Sequence, residues 1–171
     1  MSAMNADQAI RRVCRGRVPE ASTTEKPMLR PVRHFTPEEA NAALEHVRPL
    51  VEQLVDGRAE HIAALERQEE LVTKIRGNGG GIPPAQLADA TADVETRARR
   101  HAQLVDEIAG HGAEVKDLDS GLIDFPALRK GETVLLCWQL GEDEIAFWHG
   151  TEDGFQGRRP LPIDMPFEGE D

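Results

Sequence analysis

The chain has 171 residues, with 20 basic and 31 acidic side chains and a net charge of −11. The charge is uneven, because residues 1–33 hold seven basic and three acidic side chains, which leaves the other 138 residues with a net charge of −15. A folded part this acidic repels phosphate backbones and anionic lipid surfaces, so we expect neither nucleic acid nor a membrane as partner.

The two cysteines predict no disulfide framework, because Cys14 lies in a predicted tail and Cys137 in a predicted buried strand. No apolar run approaches the roughly 18 residues that a membrane-spanning helix needs. The arginine-rich N-terminus is not followed by the apolar region of a secretory signal. Together these features predict a cytoplasmic protein.

Residues 1–33 are predicted to form a disordered basic tail, because they mix polar residues, proline and arginine without periodicity. Met28 precedes the first structural signal, so two interpretations stay open: a native start at Met28, or a genuine flexible arm. At the other end, residues 163–171 are predicted to be an acidic flexible tail. One domain is therefore expected over residues 34–162.

The first predicted element is a long helix that starts at Thr36-Pro37-Glu38-Glu39 and ends near Arg76. Thr36 can cap the helix, proline suits its first position, and Glu39 can reach back to the cap amide. A bend is expected at Pro49, which removes one backbone hydrogen bond. Apolar residues recur at the three-four spacing of a coiled coil, at Val47, Val51, Leu54, Leu65, Val72 and Ile75.

A glycine-rich loop at residues 77–81 ends this helix, and a second helix is predicted from about Pro84 to about Ala109. Its seam is again spaced three-four, at Leu87, Thr91, Val94, Ala98, His101, Val105 and Ile108. Two such helices joined by a short loop are expected to pack antiparallel, because neither apolar stripe is stable in water. The sequence therefore predicts a coiled-coil-like helical hairpin over residues 36–109.

After Gly112 the hydrophobic period changes to two, which predicts a small antiparallel sheet over residues 113–149. Four strands are expected, at residues 114–118, 122–125, 133–140 and 144–149. Asp119-Ser120-Gly121 has the pattern of a three-residue hairpin loop, with glycine where a left-handed backbone is required. The fold class is therefore α+β, with the base of the hairpin packed on a four-stranded meander.

The first candidate site is the pair His61 and His101, which the antiparallel register brings to the same level of the hairpin. Arg58 lies nearby on the same seam. Two interpretations follow: a metal or anion site between the helices, or a hydrated polar layer that fixes the register. The second is favoured, because a metal needs three or four ligands and neither helix carries a Glu-x-x-His motif.

Two further candidates depend on strand register. If Leu140 faces Glu144, then Cys137 and His149 are diagonal neighbours on one sheet face and can share a metal or form a thiolate–imidazole pair. The alternative is that Cys137 is a small buried apolar residue. Across the Asp119-Ser120-Gly121 loop, Lys116 is expected to face Asp124, as a simple ion pair or as a catalytic group.

The last candidate is a small-molecule pocket beside the sheet, after the predicted final strand. Five of the seven aromatic residues fall between Phe125 and Phe155, which indicates either such a pocket or simply the core. Glycines bracket an aromatic residue and an arginine there, and that arginine can bind an anion. The candidate ligand-binding residues are Lys116, Asp124, Trp138, Trp148, His149, Phe155 and Arg158.

Several motifs resemble an uncharacterised bacterial family, the domain of unknown function 2203 (DUF2203). They are His34-Phe35-Thr36-Pro37-Glu38-Glu39-Ala40-Asn41, Val115-Lys116-Asp117-Leu118, Gly121-Leu122-Ile123-Asp124-Phe125-Pro126, Leu136-Cys137-Trp138, Trp148-His149 and Gly154-Phe155-Gln156-Gly157-Arg158. The resemblance covers about residues 33–162 and implies a bacterial cytoplasmic protein with a shared architecture. It supplies no activity or cofactor, but it favours the sheet and the loop after it as the place of any site.

Two functional classes stay open at this point. The first, which is favoured, is a non-enzymatic interaction module whose hairpin seam or sheet edge engages a protein partner or a second copy of the chain. The second is a small-ligand or metal-binding protein, including an enzyme, that uses Asp124, Cys137, His149 and Arg158 beside the sheet. The second class predicts that Asp124, His149 and Arg158 meet around a concave pocket.

Overall fold

The fold was analysed in a computed structural model, which describes residues 33–78, 81–162 and 167. These residues belong to one compact unit, Val32–Asp171. The predicted basic tail lies outside the described residues except for Arg33. Of the predicted acidic tail, Phe167 is described, and it packs against the hydrophobic core.

The first helix, α1, spans Pro37–Asn78 and begins with the predicted capping box. The Thr36 hydroxyl accepts a hydrogen bond from the Glu39 amide at 3.2 Å, and the Glu39 carboxylate accepts one from the Thr36 amide at 2.9 Å. Two amides that a helix start leaves without partners are thereby satisfied. The helix continues through Pro49.

The second helix, α2, spans Pro84–Gly110 and packs antiparallel to α1, as predicted. Gln68 donates a hydrogen bond to the Thr91 hydroxyl across the hairpin at 2.9 Å. A Cβ atom placed on Gly57 would lie 3.0 Å from Nε2 of His101, so glycine permits close approach of the helices there. Neither helix in the described part of the chain is long and apolar enough to cross a membrane.

The sheet is antiparallel and has its strands in chain order. It contains five strands instead of the predicted four, because two residues after a 3₁₀ turn (Phe155–Gly157) pair with the preceding strand. The strands are β1 (Glu114–Asp117), β2 (Leu122–Arg129), β3 (Glu132–Gln139), β4 (Phe147–Gly150) and β5 (Arg159–Pro160).

The predicted pairing of Lys116 with Asp124 is wrong. Glu114 faces Asp124, and the register shifts between Val115 and Asp117, which is an irregularity of the β-bulge type. Because a bulge inserts one residue into one strand only, it displaces every pair predicted from the loop alone. Lys116 is exposed, and its ammonium group lies 2.8 Å from the Glu114 carboxylate instead.

The hydrophobic core lies between the helices and one face of the sheet. The buried residues Val47, Val51, Leu54 and Ile108 belong to the predicted seams, whereas Leu104 is buried in place of the predicted seam residue Val105, which is half-buried. The strands contribute every second residue, as a one-sided sheet requires. The main contributors are Val47, Val51, Leu54, Leu104, Ile108, Ile123, Phe125, Leu136 and Trp138. The other face of the same strands is thereby turned away from the helices.

Candidate functional site

Three polar or sulfur-bearing side chains are buried on the sheet face that is turned away from the helices. Asp124 lies between the core residues Ile123 and Phe125 in β2. Cys137 lies next to the core residue Leu136 in β3, and His149 follows Trp148 in β4. Because successive side chains of a strand point to opposite faces, all three project from the same face.

Strand register brings these three side chains together. Asp124 and Cys137 face each other directly across β2 and β3. Cys137 faces Phe147, and Leu135 faces His149, so Cys137 and His149 are diagonal neighbours on β3 and β4. The predicted diagonal arrangement of Cys137 and His149 is therefore confirmed.

The cluster is tight and closed to solvent. One potential ligand atom from each of Asp124, Cys137 and His149 lies within 4.8 Å of the other two. Their side chains belong to residues that are 1%, 0% and 3% exposed, respectively. A carboxylate oxygen, a sulfur and an imidazole nitrogen are the donor types that bind zinc in proteins.

Hydrogen bonding fixes the orientation of the His149 ring. Its Nδ1 atom lies 2.8 Å from the Gly150 carbonyl oxygen, which can only accept, so Nδ1 carries a proton. Nε2 lies 3.4 Å from Oδ1 of Asp124, and a carboxylate oxygen only accepts, so these two atoms either share a proton or face a bound cation. A histidine that binds a metal commonly donates its other ring N–H to a backbone carbonyl in this way.

The surroundings of Cys137 do not activate its thiol as a nucleophile. Burial, reinforced by the charge and hydrogen bond of Asp124, raises the pKa of Cys137 to about 12. Catalytic cysteines require the opposite shift, since the thiolate is the reactive form. The raised pKa therefore argues against the thiolate–imidazole pair, and the thiol stays protonated unless a cation binds beside it.

Arg158 lies over the same face of the sheet. Its guanidinium carbon is 4.3 Å from the centre of the Phe147 ring and 4.9 Å from that of Phe155. Nη2 contacts both carboxylate oxygens of Glu142 at 2.8 and 2.7 Å and the Cys137 carbonyl oxygen at 3.4 Å. Arg158 thus joins the loop after β4 to the strand that carries Cys137.

Comparison with protein-family models gives one match. The model described as "Uncharacterized conserved protein (DUF2203)" covers residues 33–161, which is more than half of the chain. The chain belongs to the DUF2203 family. Searches of the curated proteins and of the solved structures found no match.

Several predicted site residues of this DUF2203 chain lie away from the cluster. Trp138 and Trp148 are on the opposite sheet face, in the core, where the Trp138 indole N–H donates to the Glu142 carbonyl at 2.9 Å. Lys116 lies on the edge strand β1. Of the predicted ligand-binding set, the structure therefore brings together Asp124 and His149, and it places Arg158 beside Cys137 and Phe155 beside Arg158.

The histidine pair of the hairpin lies at one level, as predicted for this DUF2203 chain. The ring centres of His61 and His101 are 5.4 Å apart, and Nδ1 of His61 and Nε2 of His101 are buried without a protein partner. Burial lowers the pKa of both rings, and Arg58 and Arg97 add to the effect by repulsion. Two neutral rings at a helix interface fit the polar-layer interpretation.

Sequence reasoning missed the direct pairing of Asp124 with Cys137. The signal for it was Lys130-Gly131, which forms a two-residue turn in which both residues have positive φ, 54° and 78°. Such turns set the register of the strands they join. In this DUF2203 chain the predicted strand ended at Phe125, because proline inside a strand pattern usually indicates a strand end, whereas β2 continues through Pro126 to Arg129.

Proposed function

We propose that this protein binds one divalent transition-metal ion, zinc in the first place, through the Asp124 carboxylate, the Cys137 thiolate and Nε2 of His149. The observation that carries the proposal is the convergence of three buried metal-ligand atoms within 4.8 Å on one sheet face. The sequence alone favoured an interaction module. Metal binding is preferred here because Asp124 faces Cys137 across β2 and β3, a pairing that was not predicted.

The distances suit a tetrahedral ion. Two nitrogen or oxygen ligands about 2.0 Å from zinc at a tetrahedral angle are about 3.3 Å apart. His149 Nε2 and Asp124 Oδ1 are separated by 3.4 Å, which is longer than a good hydrogen bond.

Charge balance also favours a bound cation. A carboxylate and a thiolate carry two negative charges, which a divalent ion neutralises inside the buried cluster. Burial of a carboxylate is costly unless it is paired, and a bound cation can take over the pairing that Asp124 has with His149 and the Cys137 thiol. Coordination also displaces the thiol proton of Cys137, whose pKa is raised to about 12 in the metal-free protein.

Three protein ligands leave the fourth position of tetrahedral zinc to water or to a substrate, as in catalytic zinc sites. This supports a ligand-binding or catalytic centre more than a purely structural one, which uses four protein ligands. On the same face, Arg158 stacks on Phe147, which faces Cys137, and Phe155 stacks on Arg158.

The test is metal analysis of the purified full-length chain after dialysis against trace zinc. We expect about one equivalent of zinc per chain, lost in His149→Ala and kept in His111→Ala, a matched substitution of an exposed histidine. Absence of stoichiometric zinc from the unsubstituted chain would contradict the proposal. So would retention of the zinc by His149→Ala.

The hairpin supports a second candidate function, self-association or protein binding through its outer half. Ile62 of α1 is 40% exposed, and the seam residues Leu65, Val72 and Val94 are only half-buried. Two helices alone cannot enclose such a seam. Light scattering with Ile62→Glu tests this candidate: a dimer that becomes a monomer supports it, and a monomeric unsubstituted chain contradicts it. We further propose a cytoplasmic location, because the sequence shows neither a disulfide framework nor the pattern of a secretory signal. A bacterial source is implied by the family resemblance alone.

A further inference from the structure

The buried metal-ligand cluster needs an entry path. Asp124, Cys137 and His149 are all at most 3% exposed, so neither an ion nor a ligand for its fourth position can reach them in this conformation. Some segment above this face of the sheet must therefore move. Among the described residues, the loop between β4 and β5 is a segment with contacts on this face near Cys137, through Arg158.

A stack of three side chains holds that loop on the sheet. Phe147 faces Cys137 in the register, so its ring projects from the face of the cluster. The Arg158 guanidinium contacts the Phe147 ring, and Phe155 contacts the guanidinium in turn. Phe155 is 44% exposed, so the outer side of the stack is open to water.

One ion pair anchors the stack. Arg158 is only 12% exposed and donates from Nη2 to both carboxylate oxygens of Glu142. The Glu142 carboxylate is itself held by the backbone N–H of Gln139, which donates a hydrogen bond to Oε2 at 2.8 Å. A partly buried, charge-assisted pair of this kind is much stronger than an exposed one.

The rest of the loop is exposed to water and is closed by a hydrogen bond of its own. Residues 151–156 are exposed, and the turn is closed on itself, since Oδ2 of Asp153 accepts from the Gly150 amide at 3.2 Å. Gly154 has a φ of +59°, a conformation that side chains other than glycine rarely adopt. Loops with exposed backbone and few anchors open at low free-energy cost.

We propose that residues 151–158 form a lid over the Asp124–Cys137–His149 cluster, with the Arg158–Glu142 ion pair as its latch. The lid controls the exchange of the metal and the access of any ligand to the fourth coordination position. The part that concerns the metal rests on the proposed function, whereas the closure of the lid over Cys137 does not.

The first experiment measures zinc transfer from the loaded full-length chain to a chromogenic chelator. Arg158→Gln and Glu142→Gln should keep one equivalent of zinc but release it about tenfold faster, since loss of a partly buried ion pair shifts an opening equilibrium by at least that factor. Arg99→Gln is the matched control, because the Arg99 side chain is exposed and pairs with Glu95 within α2, away from the lid. Equal rates in Arg158→Gln and Arg99→Gln would overturn the proposed role in exchange.

The second experiment needs no metal. In a Cys14→Ser background, the thiol of Cys137 is reacted with an aromatic disulfide reagent in the metal-free chain. Arg158→Gln and the milder Phe155→Ala should both react about tenfold faster than the unsubstituted chain. The reaction should depend little on low urea concentrations, which separates local opening from global unfolding.

The two experiments separate the two hypotheses. A chain that binds no zinc but shows the faster thiol reaction refutes the metal site and retains the lid. A chain that binds zinc while Arg158→Gln and Phe155→Ala leave the thiol reaction unchanged retains the metal site and refutes the lid. A thiol reaction that rises steeply with urea in every variant also refutes the lid.

Discussion

Asp124 and Cys137 face each other across β2 and β3, on the opposite side of the sheet from the core. Their neighbours Phe125 and Leu136 form the next pair along the strands and point into the core. One strand pair therefore serves two purposes, because its alternate residues build the core on one face and the candidate site on the other.

This alternation predicts different outcomes for two adjacent substitutions in β3. Leu136→Ala should lower the free energy of unfolding by about 2–5 kcal/mol, because it removes a fully buried side chain from the core. Cys137→Ala should cost about 1 kcal/mol, a typical value for a small buried substitution. Both values are measured by urea unfolding with a chelator present.

Addition of zinc should change the urea midpoints of Leu136→Ala and Cys137→Ala differently. Zinc should raise the urea midpoint of Leu136→Ala, since a ligand that binds only the folded state stabilises it. It should leave the midpoint of Cys137→Ala unchanged. The assignment of the two sheet faces fails if zinc protects Cys137→Ala as well as it protects Leu136→Ala.

The helical hairpin could be predicted almost completely, because its signals are local. Thr36 and Glu39 define the helix start, and the predicted seam residues Val47, Val51, Leu54 and Ile108 are buried at the base of the hairpin. The seam of the second helix is one residue off at Leu104, which is buried where Val105 was predicted. The β3–β4 register was also predictable, since the predicted Leu140–Glu144 pairing extends to the observed pairing of Cys137 with Phe147.

The candidate site could be predicted only in part, because it depends on features that local patterns do not encode. A bulge near Lys116 shifts the β1–β2 register, and no residue type specifies it. Strand β5 consists of Arg159 and Pro160 and has no periodicity to detect. The assignment of Asp124 to Cys137 and His149 depends on the β2–β3 register, which requires a strand that continues through Pro126 to the Lys130-Gly131 turn.

Two glycines with positive φ allow a test of the β1–β2 turn. Gly121→Ala should destabilise the chain strongly, because the new Cβ would lie 2.8 Å from Cβ of Leu140 and 2.9 Å from Cγ1 of Val51. Gly131→Ala adds only backbone strain, since no atom lies within 4 Å of its new Cβ.

The expected cost of Gly131→Ala is about 1–2 kcal/mol, the value for a left-handed alanine. Gly121→Ala should cost about 1–3 kcal/mol more, because overpacking adds to the strain. Urea unfolding of the two variants under identical conditions measures the difference. Equal losses of stability would mean that the turn does not pack against α1 as described.

The histidine layer predicts a loss of stability in mild acid. Burial lowers the pKa of His61 and His101 in the folded chain below the ordinary 6.5, and the cations Arg58 and Arg97 contribute in the same direction. Unfolding therefore takes up protons at pH values below the unfolded pKa. The stability contributed by the neutral rings is present above about pH 6.5 and declines as the pH falls below it.

A pair of double variants checks this pH dependence. When the pH falls from about 7.5 to about 5.5, roughly one unit either side of 6.5, the double variant His61→Gln with His101→Gln should lose less unfolding free energy than the unsubstituted chain. His46→Gln with His111→Gln is the matched control, since these two exposed rings also stack, with centres 5.8 Å apart. A control pair that removes as much of the pH dependence would contradict the assignment to the buried layer.

The central claim is that Asp124, Cys137 and His149 hold one metal ion. X-ray absorption at the zinc edge, on the loaded full-length chain, tests it most directly. We expect one sulfur at about 2.3 Å and nitrogen or oxygen ligands at about 2.0–2.1 Å, with the sulfur lost in Cys137→Ser. A zinc environment without sulfur, or one that Cys137→Ser leaves unchanged, would contradict the account.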